Sequence, residues 1–486
     1  MRHEKPFDTV EFSSTARMPV YAIALLYLTA SNLPLLLSTR AFGATPHGVF
    51  NVEYLLIGAV SVFVPRSTVF LLLCAESLAD FAYSICYTFQ FSLEDMLSSL
   101  RYLTLLPRVR VLEGFVLLPA VILVCGTLSL ARPRPQMRLR TAAVMLLLVA
   151  AFVPVDILSG QNPVWRKGDV ALLSFRVARS PLLALGVREV KTERVYAGSR
   201  SSGEAPMPAA SDGAVSLLDA RPGTALFPNI VLIVVESWGA LLDPHLAHAL
   251  TAPYDDPRVL SRYSASYGTV PFTGLTVPGE ARELCHSTIG FGIVHLSAEQ
   301  SERCLPALFH AHGYKNVAIH GYVGQMFSRS SWYREIGFDE MWFQPDLKRA
   351  GLPACVGAFP GICDASIADW IGTSLLSRDR DQPMFLYWVT LNSHVPEPAH
   401  PDLPDDGVCN TQPALRDSTA LCSWFRLVRT VHQSIEKVAL QAPSRPTVFV
   451  LVGDHAPPFG DTALAEQFSS TQVPYVLLTP VDLTLR

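Results

Sequence analysis

Five apolar runs fill the first third of the chain, at residues 18–37, 49–64, 67–89, 112–130 and 141–158. Each approaches the roughly 20 residues that a helix needs to cross a bilayer. Half of all residues are hydrophobic and only 16% are charged, too apolar a balance for an ordinary soluble enzyme. Arg2, Lys5 and Arg17 precede the first run, as they would in a signal peptide, but four further runs favour an uncleaved anchor. Arg132, Arg134, Arg138 and Arg140 lie between the fourth and fifth runs. The positive-inside rule therefore puts that loop and the N-terminus in the cytoplasm, and an odd number of spans exports the rest. Arg101, Arg108 and Arg110 then fall outside, where an amphipathic segment lying on the outer leaflet would carry them. Glu53, Glu76 and Asp80 interrupt the spans. Singly, Glu53 and Asp80 can snorkel to the interface; together the three acids can form a patch for a cationic lipid head group.

The 486 residues divide into a five-span membrane domain (1–160), a membrane-surface helix and flexible linker (161–227) and an exported domain (228–486). Basic and apolar residues alternate over 165–191, whereas 197–212 is rich in Ser, Gly, Pro and Ala. Beyond 228, apolar strands at 230–235, 316–319, 385–391, 447–452 and 474–478 alternate with helical patterns near 302–312, 365–376 and 421–440. That alternation predicts a three-layer α/β sandwich with a mostly parallel sheet. Six of the nine cysteines lie in this domain, and an even count in an oxidising compartment predicts disulfides. Sequence proximity suggests 285–304, 355–363 and 409–422, and the absence of a Cys-x-x-Cys pair argues against a zinc-thiolate site. The net charge of −4 offers no basic excess, so no nucleic acid is expected as a partner.

Residues 229–239 read Asn-Ile-Val-Leu-Ile-Val-Val-Glu-Ser-Trp-Gly, a strand buried on both faces that delivers Glu236 to its carboxyl end. Chemistry in open α/β sheets gathers there. A helix N-terminal acid would look the same, but later strands run into His320, into His394 and into Asp454-His455. Carboxylates and imidazoles meeting on one rim make a divalent metal site, with zinc and manganese both suitable. Between the first two strands, the turn-rich segment 269–280 leads into a helix expected near Gly279. A threonine there serves either as an N-cap or, beside a metal, as a nucleophile.

In this order of motifs the chain resembles the membrane-anchored transferases of the alkaline phosphatase/sulfatase superfamily: lipoteichoic acid synthases, periplasmic-glucan phosphoglycerol transferases and lipid A phosphoethanolamine transferases. Glu236 matches their metal carboxylate, Gly274-Leu275-Thr276 through Glu280 their nucleophile pattern, and Gly453-Asp454-His455 their Gly-Asp-His motif. Thr390-Leu391-Asn392-Ser393-His394 matches Thr-Leu-x-x-His, and His320-Gly321 with Phe327 and Arg329 resembles the phosphoryl-gripping segment, where the usual aromatic is Trp. The resemblance implies that Glu236, Thr276, Asp454 and His455 bind the metal and that Thr276 attacks a lipid phosphodiester, forming a phospho-threonine. Thr273 is the fallback nucleophile. His394 would bind substrate phosphate or a second metal and assist proton transfer, while His320, Phe327 and Arg329 would bind substrate.

True sulfatases carry Cys/Ser-x-Pro-x-Arg at the nucleophile; Thr276-Val277-Pro278 lacks the Cys or Ser, and Glu280 stands where Arg belongs. The expected function is thus metal-dependent transfer of phosphoethanolamine, or glycerophosphate, from a membrane phospholipid to a periplasmic glycan or lipid acceptor. The enzyme would act as a monomer in a bacterial inner membrane with its catalytic domain in the periplasm. A hydrolase using water as acceptor and a non-catalytic membrane signalling protein are the alternatives.

Overall fold

The long apolar run that ends at Glu236 becomes the centre of a seven-stranded sheet. The computed structural model describes residues 18–33, 35, 50–88, 96–97, 99–105, 108–160, 178–182, 207–219, 227–272, 274–287, 290–377, 382–395, 407–441, 443–459 and 462–484. The expected surface helix at 165–191 lies almost entirely outside these residues, as do Thr273 and the basic residues before Met18.

The strands are β1 (Asn229–Val235), β2 (Tyr263–Pro271), β3 (Lys315–His320), β4 (Glu340–Trp342), β5 (Met384–Val389), β6 (Thr447–Gly453) and β7 (Gln472–Pro480), in sheet order β2-β7-β6-β1-β5-β3-β4. From β6 to β4 every pairing is parallel; β7 pairs antiparallel with both β6 and β2. Side chains alternate across a strand, so β1 feeds two cores. Val231, Ile233 and Val235 join one core with the helix Thr419–Leu440, and Ile230, Leu232 and Val234 join the other with the helix Thr276–Cys285. Burial on both faces is why β1, β5 and β6 read as unbroken apolar runs. Strand β2, with the sequence YSASYGTVP, is an edge strand exposed at several positions, which explains why it carries no such run. The three disulfides are Cys285–Cys304, Cys355–Cys363 and Cys409–Cys422, as the sequence suggests.

Ahead of the sheet lie α1 (Val20–Thr29), α2 (Glu53–Ser61), α3 (Arg66–Thr88), α4 (Arg108–Leu130) and α5 (Arg138–Gly160), one helix in each expected span. Tyr27, Leu55, Leu73, Leu128 and Met145 pack them together. Among the described residues one segment, Pro135–Phe152, is long and apolar enough to cross a membrane, and Val20–Asn32 and Leu118–Leu130 are shorter apolar helices. Glu53, Glu76 and Asp80 are buried, not extended outward as snorkelling requires. The Ser180 hydroxyl donates to Glu53 at 2.6 Å and the Asn51 amide to Glu76 at 2.6 Å.

Part of the expected flexible linker is docked on the sheet domain. Glu283 accepts the backbone N–H groups of Ala210 and Ser211, Ala214 joins the second core, and Met207 donates its N–H to the His286 carbonyl.

Candidate active site

Three parallel strands deliver the site. β1 ends at Glu236, β6 at Asp454 and His455, and β5 runs into the turn that carries His394. The backbone there is tightly fastened. Glu236 donates its N–H to Thr390 Oγ1 at 2.9 Å, and Ser393 Oγ donates to the Glu236 carbonyl at 2.5 Å. Ser237 adopts φ 56°, a left-handed turn that aims its N–H at Asp454 Oδ1 (2.8 Å) and its hydroxyl at Glu236 Oε1 (2.9 Å). Two glycines permit the close approach of the elements. A Cβ on Gly453 would sit 1.9 Å from the Trp238 carbonyl oxygen, and one on Gly279 would sit 2.8 Å from Asp454 Cβ.

Thr276 is the first residue of its helix, α6 (Thr276–Cys285), which begins three residues earlier than Gly279 because Pro278 fits a first turn. Its hydroxyl caps nothing. It donates to Glu236 Oε2 at 3.0 Å. Glu236, Asp454 and His455 are buried, with one donor atom from each lying within 4.8 Å of the others. His455 Nε2 stands 3.4 Å from Glu236 Oε1 and 3.3 Å from Asp454 Oδ2. Its other nitrogen, Nδ1, faces the Ala456 carbonyl at 2.8 Å, so Nδ1 carries a proton and Nε2 is turned to the carboxylates. A ligating histidine typically gives its other ring N–H to a carbonyl in this way, which fixes the tautomer and the ring's orientation.

Among the described residues, Asp454 Oδ2 and His455 Nε2 are buried with no hydrogen-bond partner. Buried polar groups are normally satisfied, so two such atoms aimed at one point, beside a carboxylate and a hydroxyl, fit a divalent cation. The electrostatics agree. Burial opposes a charged His455, but Asp454 and then Glu236 hold the imidazole up to about 9. Burial and the Glu236 charge push Asp454 up to about 7. Burial alone would raise Glu236, yet His394 and His455 hold it well below the usual carboxylate range. Crowded acids with a charged histidine between them form an environment that a cation would relieve.

The remaining predicted residues sit around this centre. His394 stacks edge-on against Phe359 with ring centroids 4.7 Å apart. The turn that presents it is pinned by Asp364, whose carboxylate accepts the N–H groups of Leu391 and Asn392. His320 is buried and, through burial and then Arg329, held down to about 3. Its Nδ1 faces the Val389 carbonyl at 3.1 Å, so the ring is neutral and its Nε2 is an acceptor. Arg329 is buried on Glu280, to which Nε and Nη2 both donate (2.9 and 2.6 Å). Tyr333 and Tyr387 donate their hydroxyls to the other Glu280 oxygen at 2.5 and 3.2 Å. The Phe327 ring lies 5.3 Å from the Arg329 guanidinium. Arg329 therefore grips Glu280, four residues beyond Thr276, where the sequence reading has it grip phosphate.

Sequence reasoning missed Arg282 and Asp364. Arg282 is buried beside Glu283 (2.6 Å) and donates to the carbonyls of Gly453 (2.7 Å) and Asp454 (3.4 Å), so it holds the end of β6. Neither residue belongs to a short motif.

The model of the Sulfatase family matches residues 228–482. No curated protein matches the chain. Among solved structures, a protein in the alkaline phosphatase superfamily from Vibrio parahaemolyticus is 18% identical over 59% of this chain and 68% of its own, with a TM-score of 0.40. The lipoteichoic acid synthase LtaP from Listeria monocytogenes is 16% identical over 54% and 71%, with a TM-score of 0.37. The C-terminal periplasmic domain of EcEptC from Escherichia coli is 13% identical over 54% and 75%, with a TM-score of 0.34.

Proposed function

The chain belongs to the sulfatase family, and from that premise we propose that it is a membrane-anchored phosphotransferase with Thr276 as its nucleophile. The observation that carries this reading is the Thr276 hydroxyl, bonded to Glu236 at 3.0 Å inside the Glu236, Asp454 and His455 cluster. A threonine in that position, without the Cys/Ser-x-Pro-x-Arg sequence, suits a phosphoryl ester intermediate. It does not suit a formylglycine.

Glu236, Thr276, Asp454 and His455 would hold the zinc or manganese ion, which when bound supplies Lewis-acid stabilisation of charge on phosphoryl oxygens. Glu236 accepts the Thr276 hydrogen bond and so orients its oxygen. Arg329, tied to Glu280, fixes the helix on which Thr276 rides. His394, half-buried against Phe359, would protonate the leaving alcohol. A neutral His320 would accept a hydrogen bond from the substrate's head group. In this reading phosphoethanolamine, or glycerophosphate, leaves a phospholipid as the Thr276 ester and passes to a periplasmic glycan or lipid acceptor.

The helices α1 to α5 are read as five spans of a bacterial inner membrane, and the sheet domain as periplasmic and monomeric. The turn between α3 and α4 contacts the sheet domain, as required if both are on the outer side. The test is incubation of the full-length protein and metal with liposomes of head-group-labelled phosphatidylethanolamine or phosphatidylglycerol. Mass spectrometry should find the labelled head group on the Thr276 peptide, together with released diacylglycerol. Neither product from either lipid would sink the reading.

A further inference from the structure

Between α3 and α4 the residues Leu100–Leu105 form a short 3-10 helix, Leu-Arg-Tyr-Leu-Thr-Leu. An amphipathic stretch on the outer leaflet would leave its aromatic residue to the lipid. Tyr102 is instead buried in a small cluster with Tyr322, Met326 and Leu391, flanked by Phe327 and Phe359. Its ring meets Phe327 edge-on at 5.7 Å, and its hydroxyl lies 2.7 Å from Ser328 Oγ. Tyr322 in turn donates its hydroxyl to the Leu105 carbonyl.

These contacts fall on both flanks of the candidate active site. Phe327 and Ser328 have φ of 54° and 53°, a left-handed pair that persists only where neighbours hold it. Tyr102 is such a neighbour, and the pair leads directly into Arg329, the partner of Glu280. On the other flank, Leu391 precedes His394 by three residues and Phe359 packs on the His394 ring. The six-residue turn thus closes one side of the mouth of the site.

Arg101 stands at that edge. It is exposed, and one nitrogen donates to Tyr102 Oη at 2.6 Å and to Ser328 Oγ at 3.2 Å. Among the described residues no carboxylate pairs with it. A guanidinium has five N–H donors in a planar fork that matches phosphate geometry, so most of this fork remains available to a ligand.

We infer that the turn Leu100–Leu105 is a wall of the substrate site contributed by the membrane region, and that Arg101 binds the phosphodiester of the incoming donor. The inference rests on the donor being a phospholipid, as proposed above. Tyr102 is a positioning residue that holds the Phe327–Ser328 turn; Arg101 touches the donor itself.

Binding separates this inference from turnover. Metal-loaded, full-length Thr276→Ala protein is titrated with glycerophosphoethanolamine and with glycerophosphoglycerol, the deacylated forms of the two candidate donors. Adding Arg101→Gln should weaken binding of at least one of them about tenfold, the loss of one charge-assisted hydrogen bond. Arg101→Lys should recover most of that loss, and Arg134→Gln, in the loop between α4 and α5, should change it less than about twofold. In the protein with Thr276 intact, Arg101→Gln should raise KM for the lipid donor with little change in kcat. Unchanged affinity in Arg101→Gln overturns the inference, as does a parent that binds neither compound. A loss that Lys does not restore, accompanied by a lower Tm, marks Arg101 as structural and also overturns it. Binding of a probe through Arg101, together with no diacylglycerol released by the protein with Thr276 intact, defeats the lipid-transfer reading and leaves the phosphodiester site standing.

Discussion

Glu236, just beyond the end of β1, and Glu280, in α6, are both buried acids, yet their surroundings are opposite. Glu280 is saturated: Arg329 gives one oxygen two hydrogen bonds, and Tyr333 and Tyr387 serve the other. Its charge is matched by a single guanidinium. Glu236 shares its space with another acid, Asp454, and among the described residues Asp454 Oδ2 and His455 Nε2 have no hydrogen-bond partner. A satisfied network rigidifies, whereas an unsatisfied one costs stability unless something binds there. The first cluster is therefore a brace and the second a site. Asp364 lies between the two extremes, buried and, among the described residues, bonded through its carboxylate by backbone N–H groups alone.

The largest test of this contrast removes the atom that the site presents. Thr276→Ala should lower phospholipid turnover by at least about 10³-fold, as loss of a nucleophile does, while the Tm rise produced by added zinc or manganese survives in part. Turnover within tenfold of wild type would refute the assignment of the nucleophile. Next comes the brace. Glu280→Gln strands the buried Arg329 charge and should destabilise the fold by about 3–5 kcal/mol, read by denaturant unfolding. A loss under 1 kcal/mol would show that Glu280 braces nothing.

Asp364 gives a smaller, pH-dependent effect. Burial raises its carboxyl to about 7. The sign follows from linkage: its stabilisation is complete below the unfolded value near 4 and declines as pH rises through about 7. Measured against wild type, Asp364→Asn should gain roughly 1–2 kcal/mol between pH 5 and pH 8. A constant difference over that range would break the prediction. Smallest is Asp454→Asn, which relieves repulsion with Glu236. Chelator-treated protein should gain about 1 kcal/mol, the usual exchange of function for stability, while the Tm rise on adding metal disappears. A variant still stabilised by metal would remove Asp454 from the ligand set.

What the sequence made legible follows from how each feature is encoded. Strands β1, β5 and β6 are buried on both faces, so each is a local apolar run whose terminal polar residue stands out. The disulfides join cysteines 19, 8 and 13 residues apart, close enough for proximity to pair them. Strand β4 spans only Glu340–Trp342 and pairs along one side with β3, too short to leave a periodic pattern. The Arg329–Glu280 brace joins residues 49 apart in the chain. No motif states which of two candidate ligands an arginine will choose; only packing shows that Arg329 donates to Glu280. The contact of Tyr102 with Ser328 spans 226 residues and is visible only in three dimensions.

The docked segment 207–216 bears on where this protein can be cut. Hydropathy alone would start a soluble fragment at Phe227, just ahead of the first strand. Such a fragment would discard the Ala210 and Ser211 amides that Glu283 accepts. Glu283 is the buried partner of Arg282, and Arg282 holds the carbonyls of Gly453 and Asp454. Trimming a stretch that reads as a tether would thus loosen, three links away, the strand end that supplies two of the candidate ligands. A fragment begun before Met207 keeps that chain of contacts whole.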